Sequence, residues 1–491
     1  MSEVSNTSKV IKGMSSQTLV TIIYGVVEIV SFAIMSRLLT KEDFGYFASI
    51  SAITAIFQSF SETGIGSAIV QQKNLTQRYI NNAFTLCFLV GAFASLLLVA
   101  TAAPIARSVA DASMTVPLML MSITLLLSCL TSVNNSLMQR KLQFMRIGAI
   151  RVGSIIVTTI VCIILAIKGF GYYAIITKAL LTSVINYFVS LVLCKTHYSF
   201  ALDKDTFKKI FSFSGWLMAS VFFRNLAHQV DALLMPRLLS VSALGAYNRP
   251  KGFVDQISDK INGIFDSALF PVLSGVQDNK QAIYSAFCRS MFLMNVFSLV
   301  LSAGVLFNGN LIIRVFFGEE WLELYPVLAA IACTLLFNST GRLADCFLRS
   351  LAMTKQQFFF RVFETVLKLS GILVGFRWGI IGVAVSVAIT SMIARLVKII
   401  YIGNRIEISP LRVLGMMFAA WRYGLLLLPV CIIAYIFLPA TLGGDIVMAV
   451  LFTVLVLVIF LLMPKFVGKQ YEEEVFVKIT SYIDTIKKRR K

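Results

Sequence analysis

Long, nearly uninterrupted apolar stretches dominate this chain. They lie near residues 15–36, 46–66, 80–103, 114–136, 148–167, 172–194, 213–235, 247–271, 290–311, 324–348, 358–377, 379–401, 421–438 and 444–463. Each is close to the roughly 20 residues a helix needs to cross a hydrocarbon layer about 30 Å thick. The short alternating segments of a membrane barrel do not occur. The pattern predicts an all-α polytopic membrane protein with about 14 transmembrane helices, the second, eighth and tenth being the least apolar. Composition agrees. The chain is 58% hydrophobic and 14% charged, with a mean hydropathy of +0.83. Soluble chains have roughly 45–50% and about 25%.

The formal net charge of +20 would suggest nucleic acid on a soluble protein. Here the bases sit in short loops and at the chain end, which is the positive-inside pattern. Lys9 and Lys12 precede the first helix, and Arg140, Lys141, Arg146 and Arg151 follow the fourth. Lys195, Lys204, Lys208 and Lys209 follow the sixth, Arg405 and Arg412 the twelfth, and the tail ends Lys487, Lys488, Arg489, Arg490, Lys491. All fall on one side if there are fourteen spans. The opposite loops are poor in bases: Gly443, Gly444 and Asp445 include none, and Glu319, Glu320 and Glu323 outnumber Arg314. Both termini are therefore expected in the cytoplasm, and nucleic acid is not an expected partner. Arg249 and Lys251, at the outer end of the seventh helix, run against the rule.

Two internal echoes suggest duplication. Met35, Arg37, Leu38, Leu39 and Gly45 recur as Met235, Arg237, Leu238, Leu239 and Gly245, at an offset of 200. Lys141, Gln143 and Phe144 recur as Lys355, Gln357 and Phe358. Six spans per copy is an even number, so the copies share one orientation: two parallel six-helix repeats plus a C-terminal helix pair. The expected domains are residues 1–200, 201–404, and 405–491 with its basic cytoplasmic tail. Lys195 to Phe213, polar and then amphipathic, reads as the cytoplasmic linker between halves. Local chemistry fits helix ends. Thr40 and Asp43 form a capping box opening the second helix. Gly169 and Gly171 make a tight turn, and Gly371, Gly375 and Gly379, spaced by four, form a close packing face.

An ionisable group in hydrocarbon costs about 2.5–3.5 kcal/mol on insertion scales, so it needs a polar cavity or a partner. Arg224, His228 and Asp231 share one face of the seventh helix, and the repeat register sets His228 opposite Glu28. Asp255, Asp259, Asn262 and Asp266 stripe the eighth helix, and Asn338, Arg342, Asp345 and Arg349 the tenth. Glu364 and Lys368 lie one turn apart, the spacing of a routine helix pair. The functional expectation is a hydrated cavity. In it Arg224, Arg342 and Asn338 hold an anionic cargo, and Glu28, His228, Asp231 and Asp345 carry ions or protons. The competing expectation is mutual pairing that only stabilises packing.

No metal-ligand spacing, phosphate loop, dinucleotide turn or nucleophile elbow occurs. No cofactor and no enzymatic activity are expected. The eight cysteines are scattered singly, as small buried side chains. Every external loop is short, which disfavours a membrane glycan polymerase.

An ordered series of motifs carries a family resemblance. SRLLTKEDFG (Ser36 to Gly45) is followed by FSETGIGSAIVQ, LMQRKLQF, GFGYYAII, LGAYNRPKGF, FPVLSGVQ and FFGEEW. The series resembles the polysaccharide-export (Wzx-type) flippases of the multidrug/oligosaccharidyl-lipid/polysaccharide (MOP) superfamily, with Lys41 where that family usually has proline. The resemblance implies a MATE/MOP-like fold in a bacterial inner membrane. The cargo would be an undecaprenyl-pyrophosphate-linked oligosaccharide, flipped by alternating access for surface polysaccharide export. Partners would be that lipid, the bilayer, and polysaccharide polymerase and chain-length regulator proteins. An ion-coupled drug or cation antiporter of the same superfamily is the nearest alternative.

Overall fold

The computed structural model describes residues 20, 23–61, 65–72, 75–141, 143–201, 203–275, 280–351, 353–421, 424–439 and 441–466. Among them there is no strand. The helices are α1 (23–38), α2 (Lys41–Ser61), α3 (Ile65–Gln71), α4 (Gln77–Val109), α5 (Thr115–Arg140), α6 (Phe144–Ile167), α7 (Tyr172–Cys194), α8 (Lys204–Leu238) and α9 (Val241–Gly275). They continue with α10 (Lys280–Phe307), α11 (Gly309–Phe316), α12 (Tyr325–Ser350), α13 (Thr354–Gly375), α14 (Gly379–Arg405), α15 (Pro410–Trp421), α16 (Gly424–Phe437) and α17 (Leu442–Phe466). Each apolar run of the sequence is overlain by one of these helices. Lys9, Lys12 and the basic tail 487–491 lie outside the described residues, as do the side chains of Asn262 and Asp266.

Among the described residues, seven helical segments are long and apolar enough to cross a membrane. They are Gln77–Val109, Ala112–Arg140, Phe144–Ile167, Tyr172–Cys194, Ile283–Phe307, Glu319–Ser350 and Lys355–Arg405, the last containing both α13 and α14. Their packing is that of helices in lipid. α6 turns Ile156, Ile160, Ile164 and Ile167 outward and buries Gly148, Ser154, Thr158 and Cys162. A soluble helix would do the opposite; in a bilayer large apolar groups face lipid and small or hydroxyl groups face neighbouring helices.

The chain divides into two compact units, Met1–Arg249 and Pro250–Lys491. In the first, a column of Ala94, Leu98, Ala102 and Ala106 on α4 lies against Met114, Leu118 and Leu125 leading into and along α5. The alanines bring the two backbones close. In the second, Phe287 and Met291 of α10, Phe347 of α12, Ile399 and Ile402 of α14 and Val413 of α15 form the core. α13 meets α14 at Gly371 and Gly375: a Cβ on Gly375 would lie 2.5 Å from the Gly382 carbonyl oxygen. Gly379 does not belong to that face. It has φ +69° and nothing within 4 Å of a Cβ, so it is the turn residue that opens α14.

The capping box at α2 forms as expected. Asp43 N–H donates to Thr40 Oγ1 at 3.2 Å, and Thr40 N–H donates to Asp43 Oδ2 at 3.0 Å. The other oxygen, Asp43 Oδ1, accepts from Tyr172 N–H at 2.9 Å and so caps α7 as well. Gly171, at φ +53°, is required there, because a Cβ would lie 2.6 Å from that oxygen. Tyr46 stacks on Tyr172 with centroids 4.9 Å apart, and its hydroxyl donates to Asp111 Oδ2 at 2.5 Å. Two motifs far apart in sequence thus close one end of the first unit.

The starts of α2 and α9 cross within the same unit. A Cβ on Gly45 would lie 1.9 Å from the Val241 carbonyl oxygen, and one on Gly245 would lie 1.8 Å from that of Lys41. Exchanging positions 200 apart, 45 with 245 and 41 with 241, turns one contact into the other. The turns after α5 and α12 also match: Lys141 N–H donates to Leu137 O and Gln143 N–H to Met138 O, as Leu351 N–H does to Phe347 O and Met353 N–H to Leu348 O. That correspondence has an offset of 210, so the Lys141 and Lys355 sequence echo is one helical turn out of structural step.

The expected linker is shorter than its polarity implied, since α8 begins at Lys204. Residues 196–201 and Asp203 run along α4. Gln77 Nε2 donates to His197 O at 2.8 Å, Thr85 Oγ1 accepts from Ala201 N–H at 3.0 Å, and Asn82 Oδ1 accepts from Asp203 N–H at 2.7 Å. The intervening Tyr198 stacks on Phe84 at 4.3 Å, and Phe200 meets Phe88 edge-on at 5.2 Å. His197, Ala201 and Asp203 bind by backbone to α4, while Tyr198 and Phe200 lay rings on it, which is the two-residue period of an extended chain.

Candidate functional site: charges inside each unit

In the first unit a charged cluster forms between α1, α7 and α9. Arg249 lies on α9, two residues past Tyr247, which is itself buried. Its Nε donates to Ser36 Oγ at 2.9 Å and its Nη2 to the same oxygen at 2.5 Å and to the Phe32 carbonyl. The guanidinium lies 3.2 Å from the Phe32 ring centroid and 4.0 Å from that of Phe44, so two aromatic faces stabilise it. Among the described residues no carboxylate lies within ion-pair distance of it. Lys178, on α7, donates to Ser31 Oγ at 2.5 Å. Glu28 and Arg249 are the charged groups close enough to act on it. The result is two cations held by hydroxyls, a carbonyl and rings, with the Glu28 carboxylate acting on Lys178. An isolated buried charge is costly, so this arrangement favours an anion arriving at it.

The second unit carries a denser network on α12, α13 and α14. Asp345 is its hub. It pairs with Arg361 Nη2 at 2.7 Å and Lys398 Nζ at 3.0 Å, and its carbonyl accepts from Arg349 Nε at 3.3 Å. Arg361 also lies 3.6 Å from Glu364 Oε2. Arg342 pairs with Asp259 of α9, which joins the stripes of the eighth and tenth runs. Arg395 reaches the Thr334 carbonyl at 3.2 Å across Gly341, where a Cβ would lie 2.9 Å from its Cγ. Elsewhere in the second unit, Arg314 pairs with Glu319 at 2.6 Å and lies 2.9 Å from Asp445. The second contact lacks hydrogen-bond geometry and is an ion contact only.

The expected site residues distribute as follows. Arg342 and Asp345 enter the second-unit network, with Asn338 half-buried one turn before Arg342. Glu28 joins the first-unit cluster. On α8, Asp231 is buried and accepts from Ala232 N–H at 3.0 Å, whereas Arg224 and His228 are exposed. Arg249 and Lys178 escaped the sequence reading. Lys178 was visible as a lone cation in the middle of an apolar run. Arg249 looked like a loop base on the wrong side; it belongs to a helix and points inward.

A family model described as "Polysaccharide biosynthesis protein" matches residues 34–326. The chain belongs to this family. It is 22% identical over 393 residues to the lipopolysaccharide biosynthesis protein WzxC of Escherichia coli (strain K12), covering 78% of this chain and 79% of that one. It is 24% identical over 353 residues to the teichuronic acid biosynthesis protein TuaB of Bacillus subtilis (strain 168), covering 68% and 71%. Among solved structures, the lipid II flippase MurJ in an inward closed conformation superposes with a TM-score of 0.69 at 13% identity, covering 90% of this chain and 98% of that one. An inward-facing MATE transporter of the MOP superfamily superposes with a TM-score of 0.63 at 14% identity, covering 80% and 94%. At those identities the likeness is one of fold.

Proposed function

We propose that this chain is a transporter that flips undecaprenyl-pyrophosphate-linked oligosaccharide across the bacterial inner membrane for surface polysaccharide export. The observation that carries the reading is the cation pair of Arg249 and Lys178 inside a membrane bundle, in a chain of the polysaccharide biosynthesis family. A pyrophosphate cannot cross hydrocarbon unaided, while a polyprenyl tail can stay in lipid. Arginine suits the head group because its fork binds two phosphate oxygens together. In this reading about fourteen spans form two parallel six-helix repeats, residues 1–200 and 201–404, with the pair in 405–491 appended and both termini in the cytoplasm. One repeat rocks against the other to expose the site alternately. Arg224 in the first unit, and Arg342 and Asn338 in the second, are the further candidates for holding the anion. Glu28, His228 and Asp231 are the candidates for ion or proton coupling. Asp345 can join them only by releasing Lys398 or Arg361, because both now hold its carboxylate.

The test is complementation of a deletion strain with Arg249→Ala and Arg249→Lys. Surface polysaccharide should be lost in the first and partly restored in the second, at equal membrane levels. Unchanged polysaccharide in Arg249→Ala would overturn the role of this cation. Altered drug resistance with normal polysaccharide in the deletion strain would move the reading to an antiporter.

A further inference from the structure

A cavity of about 390 Å³ opens within the first unit between α5, α6 and α7. That volume lies in the range of about 300–1,000 Å³ typical of small-ligand sites, but such sites are mostly apolar. Here every lining residue is Ser, Thr, Asn, Gln or Arg.

One helix face explains the composition. Ser128, Ser132, Asn135 and Gln139 occur at i, i+4, i+7 and i+11 on α5, so they share a face. α7 supplies Ser183 and Asn186. Helix packing does not account for these amides. That role falls to the neighbouring Asn134, which is 1% exposed, donates to Ser190 Oγ at 2.9 Å and accepts from the Tyr198 hydroxyl. Asn186, in contrast, has a buried Oδ1 with no hydrogen-bond partner. Leaving a buried acceptor unsatisfied is costly, because its desolvation is not repaid. α5 and α7 therefore keep polar capacity turned toward the cavity, where apolar side chains would pack more cheaply.

The chemistry selects a ligand class. Among the described residues no carboxylate lines the cavity, and Arg151 is the single charged lining residue. A pyrophosphate calls for several cations; this surface offers amides and hydroxyls. An amide presents a donor and an acceptor side by side, and a hydroxyl both donates and accepts. Neighbouring hydroxyls of a sugar ring match that array. We infer that this cavity is the glycan subsite of the transporter: it takes neutral, hydroxyl-bearing sugar rings, while the pyrophosphate engages Arg249 and Lys178. The inference rests on the proposed function and adds to it the residues that read the sugar.

The experiment is a binding titration of the full-length protein in lipid nanodiscs. One probe is undecaprenyl pyrophosphate without sugar. The other is the sugar-bearing undecaprenyl lipid extracted from the host strain lacking this gene. The proteins are wild type, Asn135→Ala/Asn186→Ala, and the milder Ser128→Ala/Ser132→Ala. Each lost hydrogen bond is worth about 0.5–1.5 kcal/mol net, so the amide variant should bind the sugar-bearing lipid about tenfold more weakly or worse. The serine variant should show a smaller loss in the same direction. Both should bind the sugar-free lipid as wild type does, which also reports that they are folded. Equal weakening toward both lipids, or no weakening toward either, overturns the inference and leaves a water-lined surface. Failure of wild type to bind either lipid overturns the proposed function and the subsite with it.

Discussion

Neutralising Asp345 should strand two cations. Lys398 has 3% of its side chain exposed and lies 3.0 Å from Asp345 Oδ1; Arg361 lies 2.7 Å from Oδ2. Asp345→Asn keeps the shape and removes the charge. Removing one partner of a buried ion pair costs about 3–5 kcal/mol, because the other charge is left uncompensated. Arg361 has Glu364 at 3.6 Å as a second partner, so most of that cost falls on Lys398. Adding Lys398→Met removes the stranded charge, and the double variant should recover most of the loss. Thermal unfolding of the detergent-purified protein, followed with a thiol-reactive dye, reads this directly. Cys346, next to Asp345, is fully buried in the fold. At one fixed scan rate, as irreversible unfolding requires, Asp345→Asn should melt clearly below wild type and the double variant close to it. An unchanged midpoint in Asp345→Asn would refute the assignment of a buried, charge-balanced hub. Additive losses in the double variant would show that packing, not charge, makes the contact valuable.

Hydrogen bonds from Ser113 and from the Tyr46 hydroxyl hold the Asp111 carboxyl below the ordinary carboxylate value. A lowered folded pKa means stabilisation that is complete above the unfolded value of about 3.9 and lost as pH falls through the folded one. Hydrogen exchange of residues 110–114 should therefore quicken, beyond its intrinsic pH dependence, as pH drops below that value. Asp111→Asn should abolish this pH response. Cysteine labelling from outside should reach position 444 but not position 491, and labelling of both from one side would sink the fourteen-span topology. Thr85→Val should loosen the segment 196–201 by removing the acceptor for Ala201 N–H, seen as faster proteolysis there with helix content unchanged.

The membrane class was legible because hydropathy is an average over many residues, and α4, α5 and α6 carry it strongly. Short-range chemistry was equally readable: the Thr40 and Asp43 box and the Gly169 and Gly171 turn need only neighbours in sequence. Their meeting was not, since nothing local says that the second Asp43 oxygen caps a helix 129 residues away. Arg249 was misplaced because a base near a helix boundary reads as a loop until the helix start is known; α9 begins at Val241. The polar face of α5 was hidden for a different reason. Serine and threonine barely lower a hydropathy average, and Leu125, Leu126, Leu127 and Leu130 keep the run apolar. Charges announce themselves in an apolar run, whereas hydroxyls and amides do so only once the helix face is assigned. Gly379 shows the converse, a regular spacing whose last member serves a turn.

The crossing of α2 and α9 has a consequence for how this protein can vary. Gly45 and Gly245 each lie under the other helix's first carbonyl, so both report a single separation between two backbones. A methyl group on either must push those backbones apart, and the space so opened is offered to the other position too. The second alanine then meets a gap that the first has already made. The two glycines therefore act as one inherited constraint held in two places: either can be kept alone at little advantage, and sequences of this type should retain both or lose both.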